Sequence, residues 1–462
     1  MRSISKPMSY GGKKQKRREF FNFLRFSTQT RGRTGMEVNP LVFETSASTD
    51  SAIWACMRYE LFLFCGCKGT TFFHTSKLFH NFSSKKVIIT SFITNILVKI
   101  KINSNLAETL KPNFIMTNSN NYCVIMAGGI GSRFWPYSRK NKPKQFLDFF
   151  GTGQTLLQLT FNRYSNIVPK ENVFVITNVQ YENLVKEQLP ELEDSRILLE
   201  PTRRNTAPCI AWASSHIQQL NPNANIIVAP ADHLILKENE FIEAITKGLE
   251  FVAQSPQLLT LGIKPNRPET GYGYIQIADE KQGDFYKVKT FIEKPQLEFA
   301  QVFVESDEFY WNSGIFLWNV NTILNAFNTY MPEICPKVMT GGKDFDSCPN
   351  ISIDYAIMEK ADNVYVQLCD FGWADLGTWG SLHEASPKDH HKNVTINGNT
   401  LLYDCENNII AMPKDKLIVL QGLNDYLIAD TDNVLLICRK DDESTIRRYV
   451  TDVQIKLGEE FV

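Results

Sequence analysis

The chain contains 462 residues, of which 43% are hydrophobic and 21% are charged, and its formal net charge is −1. This length exceeds that of one average domain and allows a large hydrophobic core. Ten cysteines without recurring C-x-x-C pairs exclude a disulfide framework, so the composition predicts a protein of the reducing cytoplasm.

The charge is distributed unevenly along the chain. Residues 1–115 contain 18 Lys/Arg and 6 Asp/Glu, a net charge of +12, whereas residues 116–462 carry a net charge of −13. The apolar run at 87–102 is too short and too polar for a membrane span, and it lies too far along the chain for a secretory signal. We interpret residues 1–115 as a disordered or spurious extension before a start at Met116. The alternatives are a transit peptide or a nucleic-acid contact through GGKKQKRR at 11–18.

Apolar, strand-like runs alternate with amphipathic, helix-like runs from residue 120 onward. Strands are predicted at 122–126, 172–178, 196–201, 225–233 and 258–263, and helices at 179–189, 207–220 and 241–254. This order indicates βαβ units and a mixed, mostly parallel sheet in a doubly wound, Rossmann-like α/β domain spanning 116–392. Ligands bind beyond the carboxyl ends of such strands, where Gly128, Glu200 and Asp232 fall, so we expect a single site there.

The pattern changes after about residue 393. Short apolar runs are separated by turn signals at 407–408, 414–415, 424–425 and 430–433. We therefore predict a small β domain of stacked short strands over 393–462, ending in an amphipathic helix at about 441–449.

A glycine-rich loop with two cations follows the first predicted strand, in MAGGIGSRFWPYSRKNKPKQFL at 126–147. It is not the dinucleotide fingerprint, because Phe134 stands where a third glycine is needed, and no P-loop string occurs in the chain. Glycines let backbone N–H groups approach an anion, and a guanidinium such as that of Arg133 can hold phosphate oxygens. Lys144 follows Pro143 on a stiff turn. Two cations beside a glycine loop suit a polyphosphate whose charge is neutralised during transfer.

This string resembles the signature of the sugar-nucleotide pyrophosphorylases, in particular the mannose-1-phosphate guanylyltransferases. Further motifs agree in family order: EPTRRNTAP at 200–208, PADH at 230–233, ETGYGYI at 269–275, FIEKP at 291–295, WNSGIF at 311–316 and GWADLGTW at 372–379. The resemblance runs from about residue 122 to the end of the chain and does not cover 1–115. It implies a nucleotidyltransferase domain followed by a small domain resembling a left-handed β-helix.

The resemblance implies that a sugar 1-phosphate attacks the α-phosphorus of a nucleoside triphosphate and that pyrophosphate leaves. Arg133 and Lys144 would be the catalytic cations, on the leaving phosphates and on the α-phosphate and sugar phosphate respectively. The nucleotide-binding residues that it implies are Gly128, Gly129, Gly131, Glu200, Arg204, Asn205 and Thr206. The sequence departs from relatives at Thr202-Arg203, where a glycine is common, and a helix cap is the structural alternative for Asn205 and Thr206.

The sugar-phosphate and metal residues follow from the same motifs. The resemblance assigns the sugar phosphate to Gly271, Tyr272, Gly273, Glu293, Lys294, Asn312 and Gly314. It assigns Mg²⁺ to Asp232 and Asp375, whose hard carboxylate oxygens suit that ion. The structural alternatives are a helix cap for Asp232, a turn for Asp375 and a surface charge pair for Glu293 and Lys294. Other residues of these motifs have mainly structural interpretations: packing for Trp373 and Trp379, an ordinary buried histidine for His233, and a cap or a support of the sugar pocket for Asp354.

The resemblance implies a cytoplasmic homodimer that makes GDP-mannose from GTP and mannose 1-phosphate, without nucleic-acid or membrane partners. Two alternatives remain. The same chemistry could use another pair, such as dTTP or UTP with glucose 1-phosphate, although the Arg204-Asn205-Thr206 string argues against this. A non-catalytic regulatory subunit that binds GDP-mannose is the second alternative, against which the presence of both cations and both carboxylates argues.

Overall fold

The computed structural model describes residues 118–340, 343–440 and 443–462. The predictions made for 1–115 and for a start at Met116 lie outside the described residues. Within the described part of the chain, no helix is both long and apolar enough to cross a membrane.

The first part of the described chain contains all five predicted strands and all three predicted helices, together with elements that were not predicted, including every element after residue 263. Its strands are β1 Asn121–Met126, β2 Val173–Asn178, β3 Ile197–Glu200, β4 Asn225–Pro230, β5 Leu234–Ile235, β6 Leu258–Ile263, β7 Tyr274–Gln282, β8 Phe285–Ile292, β9 Phe309–Asn319, β10 Val364–Cys369 and β11 Trp373–Ala374. Its helices are α1 Leu156–Ser165, α2 Glu182–Gln188, α3 Thr206–Leu220, α4 Glu238–Gln254, α5 Leu297–Glu305, α6 Val320–Tyr330, α7 Ile334–Val338 and α8 Trp379–Ala385.

Nine of these strands form one twisted sheet in the order β3-β2-β1-β4-β9-β6-β10-β8-β7. Within this sheet β8 and β9 run against the direction of the other seven strands, which confirms the predicted mixed sheet. Only four of its nine strand pairings are parallel, so the prediction of a mostly parallel sheet is wrong: β8 and β9 each pair on both sides with strands that run the other way. The antiparallel insertion of β9 between β4 and β6 does not follow from the sequence pattern. It brings the WNSGIF motif beside the carboxyl end of β4.

Helices cover both faces of the sheet, which explains why its central strands are continuous apolar runs. Residues of α1 and α4 pack on one face, for example Phe161 and Phe241, and residues of α3 and α6 pack on the other, for example Ile210 and Phe327. Helix α1 begins with a capping box, in which Thr155 and Gln158 satisfy each other's backbone N–H groups.

The second part of the described chain is built from short strands. These are β12 Val394–Ile396, β13 Asn399–Tyr403, β14 Ile409–Ala411, β15 Leu417–Gln421, β16 Tyr426–Asp430 and β17 Leu435–Arg439. Strands β12, β14 and β16 stack in parallel, β13 pairs in parallel with β15, and β17 closes the stack antiparallel to β16. Asn407 and Asp425, at two of the predicted turns, have positive φ angles of 57° and 64°. The final helix α9, Glu443–Leu457, extends eight residues beyond the predicted end at residue 449.

Candidate active site

The glycine loop begins where β1 ends, and polar side chains hold its carbonyl groups. Gln145 Nε2 donates to the carbonyl oxygens of Ala127 at 2.7 Å and Gly129 at 3.0 Å, and the Thr177 hydroxyl donates to Ala127 O at 2.8 Å. Within the described residues, the backbone N–H groups of Gly128 and Gly129 donate no hydrogen bond. The loop therefore presents N–H groups that an anion could accept.

Gly131 allows the loop to turn tightly over Lys144. Its φ angle is +66°, and a Cβ atom there would lie 2.6 Å from Lys144 Cβ. A one-turn helix, Ser132–Phe134, follows and carries Arg133. Arg133 is half-buried, and its side chain has no hydrogen bond or ion pair in the described part of the chain. This guanidinium is therefore available to phosphate oxygens.

Lys144 joins three segments of the site. Its side chain is only 6% exposed, and its Nζ lies 2.7 Å from Asp232 Oδ2. The same ammonium donates to the carbonyl oxygens of Asp375 at 3.1 Å and Leu376 at 2.8 Å. The antiparallel pairing of β5 with β11 brings this second loop to Asp232. Lys144 thus links Asp232, through its carboxylate, with Asp375, through its backbone carbonyl group.

The two carboxylates are held differently. Burial raises the pKa of Asp232, but the charge and hydrogen bond of Lys144 outweigh it and hold the pKa below its ordinary value, so Asp232 is ionised. Asp375 Oδ1 accepts from the Tyr272 hydroxyl at 2.7 Å and from the Gly377 N–H at 2.8 Å. The turn role considered for Asp375 is therefore present. The cap role considered for Asp232 is absent, because α4 begins only at Glu238.

Glu200 lies at the end of β3 with its side chain directed toward the glycine loop. A Cβ atom on Gly128 would lie 3.2 Å from Glu200 Oε2. Oε1 is buried and has no hydrogen-bond partner. Burial raises the pKa of Glu200 to about 7, although Cys209 and Arg203 oppose this shift. A buried acceptor without a partner is costly, and a ligand N–H would satisfy it.

The other residues predicted to bind the nucleotide after β3, namely Arg204, Asn205 and Thr206, make contacts within the protein. Asn205 caps α3, accepting from the Thr206 N–H at 2.9 Å, so the structural alternative for this loop is present. The Thr206 hydroxyl accepts from the Ile353 N–H at 2.8 Å. Arg204 donates to the carbonyl oxygen of Asp346, and its Nε is buried without a partner. The direct nucleotide contacts of these three residues stay predictions.

Arg203, which departs from the family pattern, is directed toward Tyr181. Its Nη2 donates to the Tyr181 hydroxyl at 2.7 Å, and its guanidinium lies 5.6 Å from the centre of that ring. Tyr181 in turn packs on Phe146, the second residue after Lys144. Arg203 therefore supports the Lys144 turn indirectly.

The sugar motifs meet beside the carboxylates. Asn312 is oriented by three contacts: its Oδ1 accepts from the Thr260 hydroxyl at 3.0 Å and the Gly314 N–H at 3.1 Å, and its Nδ2 donates to Asp354 at 2.8 Å. Asp354 accordingly supports this pocket and makes no cap hydrogen bond. Burial and the nearby charge of Glu293 raise the pKa of Asp354 to about 6.

The remaining sugar residues line the same region. A Cβ atom on Gly273 would lie 2.7 Å from Glu293 Oε2, so the absence of a side chain there makes room for this carboxylate. Glu293 is 14% exposed and pairs at 2.6 Å with Lys294, which is 59% exposed. The charge pair considered as an alternative is therefore present, but its carboxylate is buried. Gly271 is fixed by its N–H, which donates to Glu269 at 3.0 Å.

Aromatic rings form the wall between the sugar motifs and the carboxylates. Tyr272 packs edge-on against Trp311 at 5.1 Å and Trp373 at 5.2 Å. Trp373 Nε1 lies 3.2 Å from His233 Nδ1, and burial lowers the pKa of His233, so this histidine is a neutral packing residue. Trp379 is fully buried, which confirms its packing role.

Three polar residues at the site were missed by sequence reasoning. Gln145 and Thr177 hold the glycine loop, and the Arg267 guanidinium lies 5.2 Å from the Trp311 ring and pairs with Glu269 at 3.3 Å. Gln145 directly follows Lys144, so its place in the signature was a signal. Thr177 and Arg267 carry no such local signal.

Comparison with known proteins identifies the same family as the sequence motifs. The Nucleotidyl transferase family model matches residues 122–392. An Escherichia coli mannose-1-phosphate guanylyltransferase is 38% identical over 354 residues, covering 72% of this chain and 75% of the relative. The mannose-1-phosphate guanylyltransferase RfbM of Salmonella typhimurium is 39% identical over 345 residues, covering 71% of each chain.

A solved structure also aligns with most of the chain. The crystal structure of a mannose-1-phosphate geranyltransferase from Thermus thermophilus matches with a TM-score of 0.68 and 30% identity, covering 72% of this chain and 99% of that one. A family model that spans more than half of the chain, together with relatives of this similarity, identifies the family. The chain is a nucleotidyltransferase that belongs to the nucleotidyl transferase family and, within it, groups with the mannose-1-phosphate guanylyltransferases.

Proposed function

We propose that this chain transfers GMP from GTP to α-D-mannose 1-phosphate, giving GDP-mannose and pyrophosphate. A phosphate oxygen of the sugar phosphate forms a bond to the α-phosphorus as the bond to the β-phosphate oxygen breaks. The observation that carries the proposal is the contact of the Lys144 ammonium with both the Asp232 carboxylate and the backbone carbonyl of Asp375, beside a glycine loop with unused N–H groups. The similarity to proteins named for this activity supports the choice of substrates.

The chain's own residues would align the reactants and neutralise charge, which is most of what phosphoryl-type transfer requires. Arg133, which has no partner of its own in the described residues, would bind the leaving pyrophosphate. Lys144 would stabilise charge that develops at the α-phosphate. The N–H groups of Gly128 and Gly129, on the loop that Gly131 closes, would hold the triphosphate.

Base selection would depend on Glu200. Its unpartnered Oε1 is a buried acceptor that suits the ring and exocyclic N–H groups of guanine, with Arg204, Asn205 and Thr206 completing the loop. The sugar would lie against Tyr272 and between Glu293 and Asn312, with Lys294, Gly271, Gly273 and Gly314 lining the pocket. A site that binds hydroxyl and N–H groups through buried polar atoms discriminates strongly against ligands that lack them.

The carboxylates of Asp232 and Asp375 fit Mg²⁺ by the chemistry of their donor atoms. Both are hard oxygen ligands, with Asp232 paired to the Lys144 ammonium and Asp375 held by the Tyr272 hydroxyl, and Mg²⁺ typically takes one or two protein carboxylates and keeps several waters. When bound, Mg²⁺ would neutralise phosphate charge. In the described residues no cluster of three or more His, Cys, Asp or Glu is present that could hold a metal by itself. Substrate phosphates would therefore supply further ligands.

The proposal also covers the domain organisation, the oligomeric state, the cellular location and the partners of the protein. We infer a catalytic domain over 116–392 and a C-terminal β domain over 393–462 that winds as a left-handed β-helix, which its parallel stacks support. A homodimer is supported by the exposed apolar side chains of the β13–β15 sheet, which are Leu401, Tyr403, Leu417 and Val419. A cytoplasmic location is supported by the lack of a disulfide among the described cysteines. We infer no nucleic-acid or membrane partner.

The proposal is tested with the purified full-length chain, Mg²⁺ and mannose 1-phosphate, by following pyrophosphate release with GTP, ATP, UTP and dTTP separately. We expect release with GTP and loss of release when Mg²⁺ is chelated. Release with another base alone would overturn the assignment of Glu200 to guanine. Binding of GDP-mannose without turnover would instead identify a regulatory subunit.

A further inference from the structure

The loop that carries Arg133 is anchored by the far end of the chain. We propose that the C-terminal residues Glu459–Val462, together with the β domain, position this loop for the reaction, so that Trp135 and Arg139 are positioning residues. The inference rests on the proposed function, because it assigns the Arg133 guanidinium to the triphosphate. It extends that function to a segment more than 300 positions away in sequence.

The first anchor is the indole of Trp135. Its Nε1 donates to the carbonyl oxygen of Phe461 at 2.7 Å, and the ring is only 5% exposed. A buried indole N–H needs such a partner, and loss of this acceptor would leave it unsatisfied. Lys140 and Glu459 form a second contact at 3.1 Å, but both side chains are at least half-exposed, so this ion pair contributes little.

The second anchor is the guanidinium of Arg139. Its Nη2 donates to the Thr431 hydroxyl at 2.9 Å and to Asn433 Oδ1 at 2.6 Å, and its Nη1 lies 3.4 Å from the carbonyl oxygen of Glu460. Thr431 and Asn433 belong to the turn between β16 and β17. One planar group therefore connects the signature loop with both the β domain and the chain end, which a lysine could not do with the same geometry.

Apolar packing connects these two anchors with the residue beside Arg133. Phe134, which directly follows Arg133, is fully buried between Phe149 at 4.8 Å and Trp379 at 5.1 Å. The same cluster contains β-domain and α9 side chains, for example Ile409 and Ile446. Arg133 thus stands between the tight turn at Gly131 and a residue locked in a shared core.

The second active-site loop enters the same cluster. Leu376 is 1% exposed within it, and its carbonyl oxygen is the 2.8 Å acceptor of Lys144. Its φ angle of +45° is unusual for a branched side chain, and such a conformation persists only when its surroundings hold it. The β domain consequently supports the backbone of both loops that carry the proposed catalytic groups.

Displacement of a catalytic group by about 1 Å can lower a rate about 100-fold. Arg133 has no partner of its own in the described residues, so the position of its backbone decides where its guanidinium lies. The chain end therefore acts on the nucleotide side of the reaction. The contacts described above for residues 459–462 involve Trp135, Arg139 and Lys140, and none involves a residue of the sugar motifs.

The test compares Trp135→Phe, Arg139→Ala and a chain lacking residues 459–462 with the wild type. Trp318→Phe is the matched control, because Trp318 is fully buried and its Nε1 has no partner. We expect kcat/KM for GTP to fall at least tenfold in the three anchor variants, while KM for mannose 1-phosphate stays within about twofold of the wild type. Trp318→Phe should retain the wild-type kcat/KM for GTP and the wild-type KM for mannose 1-phosphate, both expressed per folded molecule.

Hydrogen exchange gives a readout that does not depend on activity. Amides of residues 132–139 should exchange at least tenfold faster in Trp135→Phe than in the wild type, while those of β2 remain unchanged in rate. If the wild type releases no pyrophosphate with any triphosphate, the proposed function fails and exchange alone decides the inference. The inference would be overturned by unchanged exchange, or by a KM for mannose 1-phosphate that changes as much as the KM for GTP.

Discussion

Arg133 and Glu200 are the site residues whose polar atoms remain unused inside the protein. The Arg133 side chain makes no hydrogen bond or ion pair in the described residues, and Glu200 keeps one buried oxygen without a donor. Folding alone does not explain such groups, because an unsatisfied buried acceptor costs about 1–3 kcal/mol. Arg133 follows β1 and Glu200 ends β3, so both lie at the carboxyl ends of strands on either side of β2, where a nucleotide would satisfy them.

Replacement of Arg133 by alanine should separate activity from stability. Because the guanidinium has no partner in the described residues, Arg133→Ala should change the free energy of unfolding by less than about 0.5 kcal/mol. We expect kcat/KM for GTP to fall about 100- to 1,000-fold, as when one charge-stabilising donor is removed. Urea unfolding and pyrophosphate release measure the two effects. Arg133→Lys, the control, should retain part of the activity; full activity in Arg133→Ala would contradict the assignment.

Glu200 should make stability depend on pH. Burial raises its pKa from 4.5 to about 7 in the folded protein, so the folded state binds this proton more tightly than the unfolded state. The resulting stabilisation is fully present below pH 4.5 and is lost as the pH rises through 7. Relative to Glu200→Gln, the wild type should therefore lose up to about 3 kcal/mol between pH 4.5 and about 8. Urea unfolding of both proteins across this range measures the difference, and parallel curves would contradict it.

At the scale of elements, the site is a junction of loops from separate strands. The Lys144 turn lies after β1, Asp232 after β4 and Leu376 after β11, and one ammonium group connects all three. Strands β1 and β4 were predicted from their local patterns, whereas the two-residue strand β11 was not. Their meeting point depends on the β5–β11 pairing, which has no signature in the sequence.

Removal of the Lys144 ammonium should destabilise the junction through its partner. Lys144→Met leaves the Asp232 carboxylate without its counter-charge, and we expect the free energy of unfolding to fall by about 3 kcal/mol. The double variant Lys144→Met/Asp232→Asn should recover most of this stability but none of the activity. Urea unfolding and pyrophosphate release distinguish the two. A double variant as unstable as Lys144→Met would show that the pair is not what stabilises the junction.

At the scale of the whole molecule, the catalytic region and the β domain share one hydrophobic cluster. Phe134, Leu376 and Trp379 from the first pack with Ile409 and Leu427 from the second. Because neither part completes this cluster alone, the two should unfold together.

Replacement of Ile409 by alanine tests this coupling. Ile409 is fully buried in β14, and the substitution should cost about 2–5 kcal/mol. No tryptophan lies after residue 379. Trp311 and Trp318 lie in the clusters around the sheet, and Trp135 and Trp379 lie in the shared cluster, so tryptophan fluorescence reports on the sheet as well as on the shared cluster. In Ile409→Ala, we expect the urea midpoint measured by tryptophan fluorescence to fall together with the midpoint measured by far-UV circular dichroism. Leu401→Ala, at an exposed position of β13, is the control; an unchanged fluorescence midpoint for Ile409→Ala would indicate independent unfolding.

The sequence by itself determined the main strands and helices as far as β6, the glycine loop and the stacked β domain. These features depend on local patterns of apolar residues, glycines and turn residues, which can be recognised within a few neighbours. Helix α9 was predicted too short because its last turns pack little apolar surface and carry weak periodicity. Gln145 was missed even though it lies within the signature, because its role is to hold carbonyl groups of another segment.

Only the tertiary structure decided which of these residues meet. The antiparallel insertion of β9, the convergence of three loops on Lys144 and the contact of Trp135 with Phe461 all join residues far apart in sequence. Such contacts form because many segments pack at once, and no single segment carries the information for its partner. The sequence therefore determined which chemical groups the protein has, and the packing of the sheet and the β domain decided where they act.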